Sequence, residues 1–92
     1  MTAEVLLRQN EDKLELYTKA ITKAHGKNHP EVFEVSRLYE TIKAKVDKGD
    51  DFTAEIAQLK DITNDFAIPD DVCATFEETY KLLKKVSLQA SH

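Results

Sequence analysis

The sequence predicts an all-α protein folded as an antiparallel up-and-down four-helix bundle, and three observations point there. Only two Gly and two Pro punctuate 92 residues, too few turn-formers for a multi-stranded sheet protein. The mix of 41% hydrophobic and 33% charged residues is too apolar for a disordered chain. Gly26, Pro30, Gly49 and Pro69 all fall where an apolar periodicity stops or restarts. Between them apolar side chains recur at alternating short spacings, the signature of a helix with one buried stripe. Four such stripes of similar width, joined by short loops, are buried together when successive helices alternate in direction. Residues 1–92 are therefore expected to form a single helical domain with one core, because a chain of this length has no room for a second.

The first helix is expected over about residues 3–25. Thr2 supplies a cap, Glu4 lies in the first turn, and Leu7, Leu14, Tyr17, Ile21 and Ala24 form the spine. Asn10 interrupts that stripe, and Gly26 follows as a left-handed stop. The second helix, about 30–48, opens at His29-Pro30-Glu31, where Pro at the first position sacrifices no hydrogen bond and Glu31 complements the dipole. Val32, Val35, Tyr39, Ile42 and Val46 carry its stripe, Phe33 and Leu38 widen it, and Gly49 ends it. The third, about 52–66, has Asp50, Asp51 or Thr53 as its cap and Phe52, Ile56, Leu59, Ile62 and Phe66 on one face. The fourth, about 69–88, begins at Pro69-Asp70-Asp71 and continues through Val72, Phe76, Tyr80, Leu83 and Val86. The segment from Ser87 to His92 reads as a frayed tail.

Charge and composition exclude several functions. Thirteen Lys/Arg against seventeen Asp/Glu give a net charge of −4 with both signs dispersed, so no basic stripe is available for nucleic acid. No apolar run exceeds three residues, as in Val5-Leu6-Leu7, so no membrane span is expected. The single cysteine, Cys73, forms no intramolecular disulfide, and Met1–Val5 lacks the pattern of an export leader, which makes a cytoplasmic location the expectation. There is no Gly-rich phosphate loop, no Ser/His/Asp elbow, no Cys-x-x-Cys and no Glu-x-x-His, an inventory that favours a non-enzymatic role.

His25 and His29 stand four apart, a spacing that on one continuous helix aims two imidazoles at one metal. Gly26 and Pro30 interrupt that helix, so the pair reads first as a helix end and a helix start, with metal ligation as the alternative. His92 is expected in solvent. Helix dipoles near Cys73 favour its thiolate while Asp70, Asp71 and Glu77 oppose it, and a buried, inert thiol is the expectation. Adjacent carboxylates such as Glu77-Glu78 and Asp50-Asp51 splay apart on a helix and read as solvated charges. Tyr17, Tyr39 and Tyr80 fall on inward stripes and read as core rings with one hydroxyl partner each.

Two stretches carry a resemblance. Ala24-His25-Gly26-Lys27-Asn28-His29-Pro30-Glu31-Val32 is one. The other is Leu59-Lys60-Asp61-Ile62-Thr63-Asn64-Asp65-Phe66, followed by Pro69-Asp70-Asp71-Val72-Cys73, Thr75-Phe76 and Tyr80. Together they resemble the Ric-type iron–sulfur cluster repair proteins, which contain a hemerythrin-like four-helix domain. The resemblance implies a di-iron site held by histidines and His-x-x-x-Glu pairs, and a role in restoring clusters damaged by oxidative or nitrosative stress. Carried onto this chain, it makes His25 a metal ligand, with His29 as a second candidate. The first-helix histidine has no counterpart before His25. Lys43-Ala44-Lys45-Val46-Asp47-Lys48 replaces the second-helix pair, Gly49 falls near the third-helix histidine, and no Glu follows His92.

So few ligands in one chain leave three readings. The first is a short, metal-poor Ric-like protein, with no cofactor of its own, whose bundle binds a protein partner in a repair or stress pathway. In the second, copies of the chain pair so that His25, His29 and Glu31 from each complete an iron site. The third is a generic helical interaction module of unrelated function. Pairing into a homodimer also suits a core this small.

Overall fold

Asn10 divides the first amphipathic segment in two. Its amide Nδ2 donates to the Leu6 carbonyl at 3.0 Å and its backbone leaves the helical region at φ −113°. Such local bonding competes with the helical ladder. The result is α1, Ala3–Gln9, capped by the Thr2 hydroxyl, and α2, Glu11–His25. Three more helices follow: α3, Glu31–Lys48; α4, Thr53–Ile62; and α5, Ala74–Ala90. The computed structural model describes residues 2–90, and among them every regular element is an α-helix.

Gly49 ends α3 as the sequence implies. It is left-handed at φ 74°, with its own N–H donating to Val46 and that of Asp50 to Lys45. These two bonds satisfy carbonyls that the helix end leaves open. Gly26 behaves otherwise. It stays right-handed at φ −57° and is needed because the Phe33 ring lies over it: an added Cβ would fall 2.6 Å from that ring and 2.4 Å from the Thr22 carbonyl oxygen. Phe33 is accordingly an exposed cover on the turn and does not widen the buried face.

The third helix stops earlier than its periodicity predicts. The Thr63 hydroxyl donates to the Leu59 carbonyl at 2.6 Å and accepts from the Phe66 N–H at 2.9 Å. Asn64, Asp65 and Phe66 then take φ of 53°, 59° and 60°, one left-handed turn that swings Phe66 into the core. The last helix starts later than expected, because the carbonyl of Cys73 accepts its first bond, from Glu77, and Asp71 lies outside it. It also runs on through a buried Ser87 to Ala90, so the described part of the expected tail is helical. His92 lies outside the described residues.

α2 packs against α3 and α5, α4 against the same two helices, and α1 against α5. Leu14, Ile21, Val32, Val35, Ile42, Leu59, Phe76 and Leu83 meet at the centre, each essentially sealed from solvent. Burial of such a side chain stabilises the fold by about 1.5–3 kcal/mol. In α2 the buried stripe runs Leu14, Thr18, Ile21, with the Thr18 hydroxyl donating to the Leu14 carbonyl at 2.7 Å. Tyr17, expected on that stripe, is half-buried under Lys13, and Ala24 is exposed. No helix among the described residues is long and apolar enough to cross a membrane.

Candidate functional site

The α2–α3 turn and the segment entering α5 meet at one end of the molecule. His25 closes α2, and its carbonyl accepts from the N–H groups of Asn28 and His29 at 3.1 and 2.7 Å, which folds the turn back and sets both imidazoles on the same side. Phe76, in the first turn of α5 and fully buried, forms the floor beneath them. Its ring lies 5.3 Å from that of His25, edge-on, and 5.7 Å from that of His29.

His29 is held by two carboxylates. Its Nδ1 lies 3.2 Å from Glu31 Oε2 and its Nε2 2.9 Å from Asp71 Oδ1. A carboxylate oxygen only accepts, so both contacts are satisfied at once only by the doubly protonated ring. The Asp71 hydrogen bond accordingly raises the His29 pKa and, in return, lowers that of Asp71.

His25 faces the thiol. Its Nε2 lies 3.2 Å from Cys73 Sγ, so either the thiol donates to a neutral ring or the protonated ring donates to a thiolate. That contact, joined by the N–H groups of Phe76 and Thr75 at the start of α5, draws the Cys73 pKa down to about 7. Cys73 is also exposed. The expectation that Cys73 is buried is thus corrected. Because α5 starts at Ala74 and not near Pro69, Cys73 stands just before its first residue, within reach of His25.

The two histidines singled out by spacing do come together, with ring centroids 6.5 Å apart, but their nitrogens address different partners. His29 has no free ring nitrogen, and among the described residues no group of three or more His, Cys, Asp or Glu side chains is arranged to hold a metal ion. The donors among the described residues therefore do not fit a di-iron centre, which needs several imidazoles and bridging carboxylates converging inside the fold. Glu31 and Asp71, the only carboxylates hydrogen-bonded to an imidazole among the described residues, both serve His29.

Sequence reasoning missed the partnerships themselves. His25 and Cys73 are 48 residues apart, and His29 and Asp71 are 42 apart. Helical periodicity says nothing about which ends meet. The one available signal was that Asp71 and Cys73 follow closely on Pro69, where a helix is only beginning and side chains are free to leave its face.

Set against protein-family models, curated proteins and solved structures, the chain matches none of them.

Proposed function

We propose that the chain is a short relative of the Ric-type, hemerythrin-like proteins, built as an up-and-down four-helix bundle in which α1 and α2 together form one leg. On this reading it is metal-poor and non-enzymatic. It acts in the cytoplasm as a binding or accessory module, through a protein partner, in iron–sulfur cluster repair or in the response to oxidative and nitrosative stress. One observation carries the reading. The two stretches on which the resemblance rests are separated by most of α3 and α4, yet they are joined in space by His25–Cys73 and His29–Asp71. Residues that define a motif together and also touch are more readily explained by a shared ancestral site than by chance likeness of two helix ends.

The test has two arms. Cells lacking the chain are exposed to nitric oxide or peroxide, and recovery of an iron–sulfur enzyme such as aconitase is followed; slower recovery is expected, and unchanged recovery overturns the pathway. Protein purified from iron-replete medium without a metal-chelating tag is expected to carry well under one metal per chain and to unfold identically with and without chelator. Near-stoichiometric iron in a dimer, lost in His25→Ala, would favour instead the site completed between copies.

A further inference from the structure

We propose that Cys73 and His25 form a hydroperoxide-reactive thiol site, in which Cys73 is oxidised to a sulfenic acid and His25 supplies the proton to the departing oxygen. The inference goes beyond the accessory-module reading and does not depend on it. Three separate features carry it. Cys73 is exposed and opens onto a shallow groove bordered by Ile68, Pro69, Val72, Asp70 and Glu77, so a small molecule has access. The imidazole Nε2 of His25 lies 3.2 Å from Sγ and is kept there by the end of α2 and by the Phe76 ring standing edge-on against it. The first amides of α5, those of Thr75 and Phe76, favour negative charge on the same sulfur.

A thiolate supported in this way is the form that attacks peroxides. The Sγ lone pair attacks the nearer peroxide oxygen and an S–O bond forms as the O–O bond breaks. The sulfur is oxidised and the peroxide reduced. The proton shared between Sγ and the Nε2 of His25 passes to the leaving hydroxide, which departs as water, leaving a neutral ring and Cys73 as the sulfenic acid. Asp70 and Glu77, which line the same groove, disfavour an anionic disulfide as oxidant, whereas an uncharged hydroperoxide meets no such repulsion. Cys73 is the chain's one cysteine, so its sulfenic acid finds no thiol within the same chain and persists until an external thiol caps it.

The magnitude follows from the thiolate population. With the pKa drawn to about 7, about half of Cys73 is thiolate at neutral pH, against a few per cent for an ordinary thiol. The lower intrinsic nucleophilicity of a more stable thiolate offsets part of that gain, leaving a net advantage of about three- to fourfold. The reduced full-length protein is mixed with hydrogen peroxide and dimedone at neutral pH, and the Cys73 adduct is followed by mass spectrometry, with Cys73→Ser as the blank. Faster adduct formation than on a peptide spanning Cys73 is expected. His25→Gln should slow it about two- to threefold and move the midpoint of the pH–rate profile upward, the Thr75 and Phe76 amides keeping part of the shift. Circular dichroism checks that each variant is folded; His25→Asn replaces a variant that is not, and the peptide comparison needs no variant at all. A rate no faster than the peptide's, equal rates in wild type and a folded His25 variant, or faster reaction with glutathione disulfide than with peroxide overturns the proposal.

Discussion

Tyr39 and Tyr80 offer one chemical change with two opposite expected signs. Both are 2% exposed, and burial raises the pKa of each phenol, with nearby carboxylates adding to it, so both stay neutral through any ordinary assay range. Their hydroxyls differ. That of Tyr39 donates to the Glu11 carbonyl at 3.2 Å, tying α3 to the first turn of α2. That of Tyr80 is buried and meets no hydrogen-bond partner among the described residues. A typical intramolecular hydrogen bond contributes about 0.5–1.5 kcal/mol net, while a buried polar group without a partner costs about 1–3 kcal/mol. Tyr39→Phe should therefore destabilise by about 1 kcal/mol, and Tyr80→Phe should stabilise by about 1 kcal/mol after the small loss of packing against Phe76 and Phe66. In a domain of this size that separates the two variants by about 8–16 °C in Tm. Urea titration with an unchanged m-value is the second readout, with midpoints displaced to opposite sides of wild type. If Tyr80→Phe loses as much stability as Tyr39→Phe, the Tyr80 hydroxyl is satisfied and the reasoning is wrong.

Two further outcomes follow from the loops. Asp65, left-handed at φ 59°, should tolerate Gly with little change in stability but lose about 1 kcal/mol on substitution by Ala, which bears the steric penalty without aspartate's local tolerance for that conformation; thermal unfolding of the pair checks it, and equal Tm values refute it. For the His29–Asp71 pair the sign comes from both partners: the raised His29 pKa gives stability that is present below about pH 6.5 and lost as pH rises through the folded value, and the lowered Asp71 pKa gives stability lost as pH falls below its ordinary range. The stability difference between wild type and Asp71→Asn should thus be greatest near about pH 5, and the NMR titration midpoint of His29 should fall in the variant; an unmoved midpoint refutes the pairing.

How much was legible in the sequence divides along physical lines. The buried positions of α3 and α4 follow from their periodicity, because Val32, Val35, Tyr39, Ile42, Ile56 and Leu59 need only a 3.6-residue repeat to share a face. Phe66 lies in the core as its spacing implies, but not on a helix. It arrives through a left-handed turn after Thr63, and the adjoining Asn64 and Asp65 are residues that accept such a turn. Thr18 displaced Tyr17 from the α2 stripe because bonding to its own helix satisfies a hydroxyl in the core, whereas Tyr17 keeps its ring half in solvent beneath Lys13. Gly26 stands at the helix end as expected but without the left-handed backbone, since the Phe33 ring above it is a packing fact that local backbone preference does not contain.

The candidate site was illegible for a different reason, which also bears on what it can do. His29, Asp71 and Cys73 stand outside the helices and His25 on a last turn, so no periodic pattern registers them and their meeting depends wholly on how α2, α3 and α5 pack. Side chains in such positions can change their partners without disturbing the core, and this separation lets a stable scaffold lose or alter its chemistry. Phe76 is the exception. Fully buried, it is the floor under both imidazoles and a neighbour of the Tyr80 ring at 4.5 Å. Truncating it creates a core cavity and at the same time releases the rings it braces. The contact between His25 and Cys73 is thus tied to the fold through one aromatic residue, and the packing of Phe76 holds the pair in register.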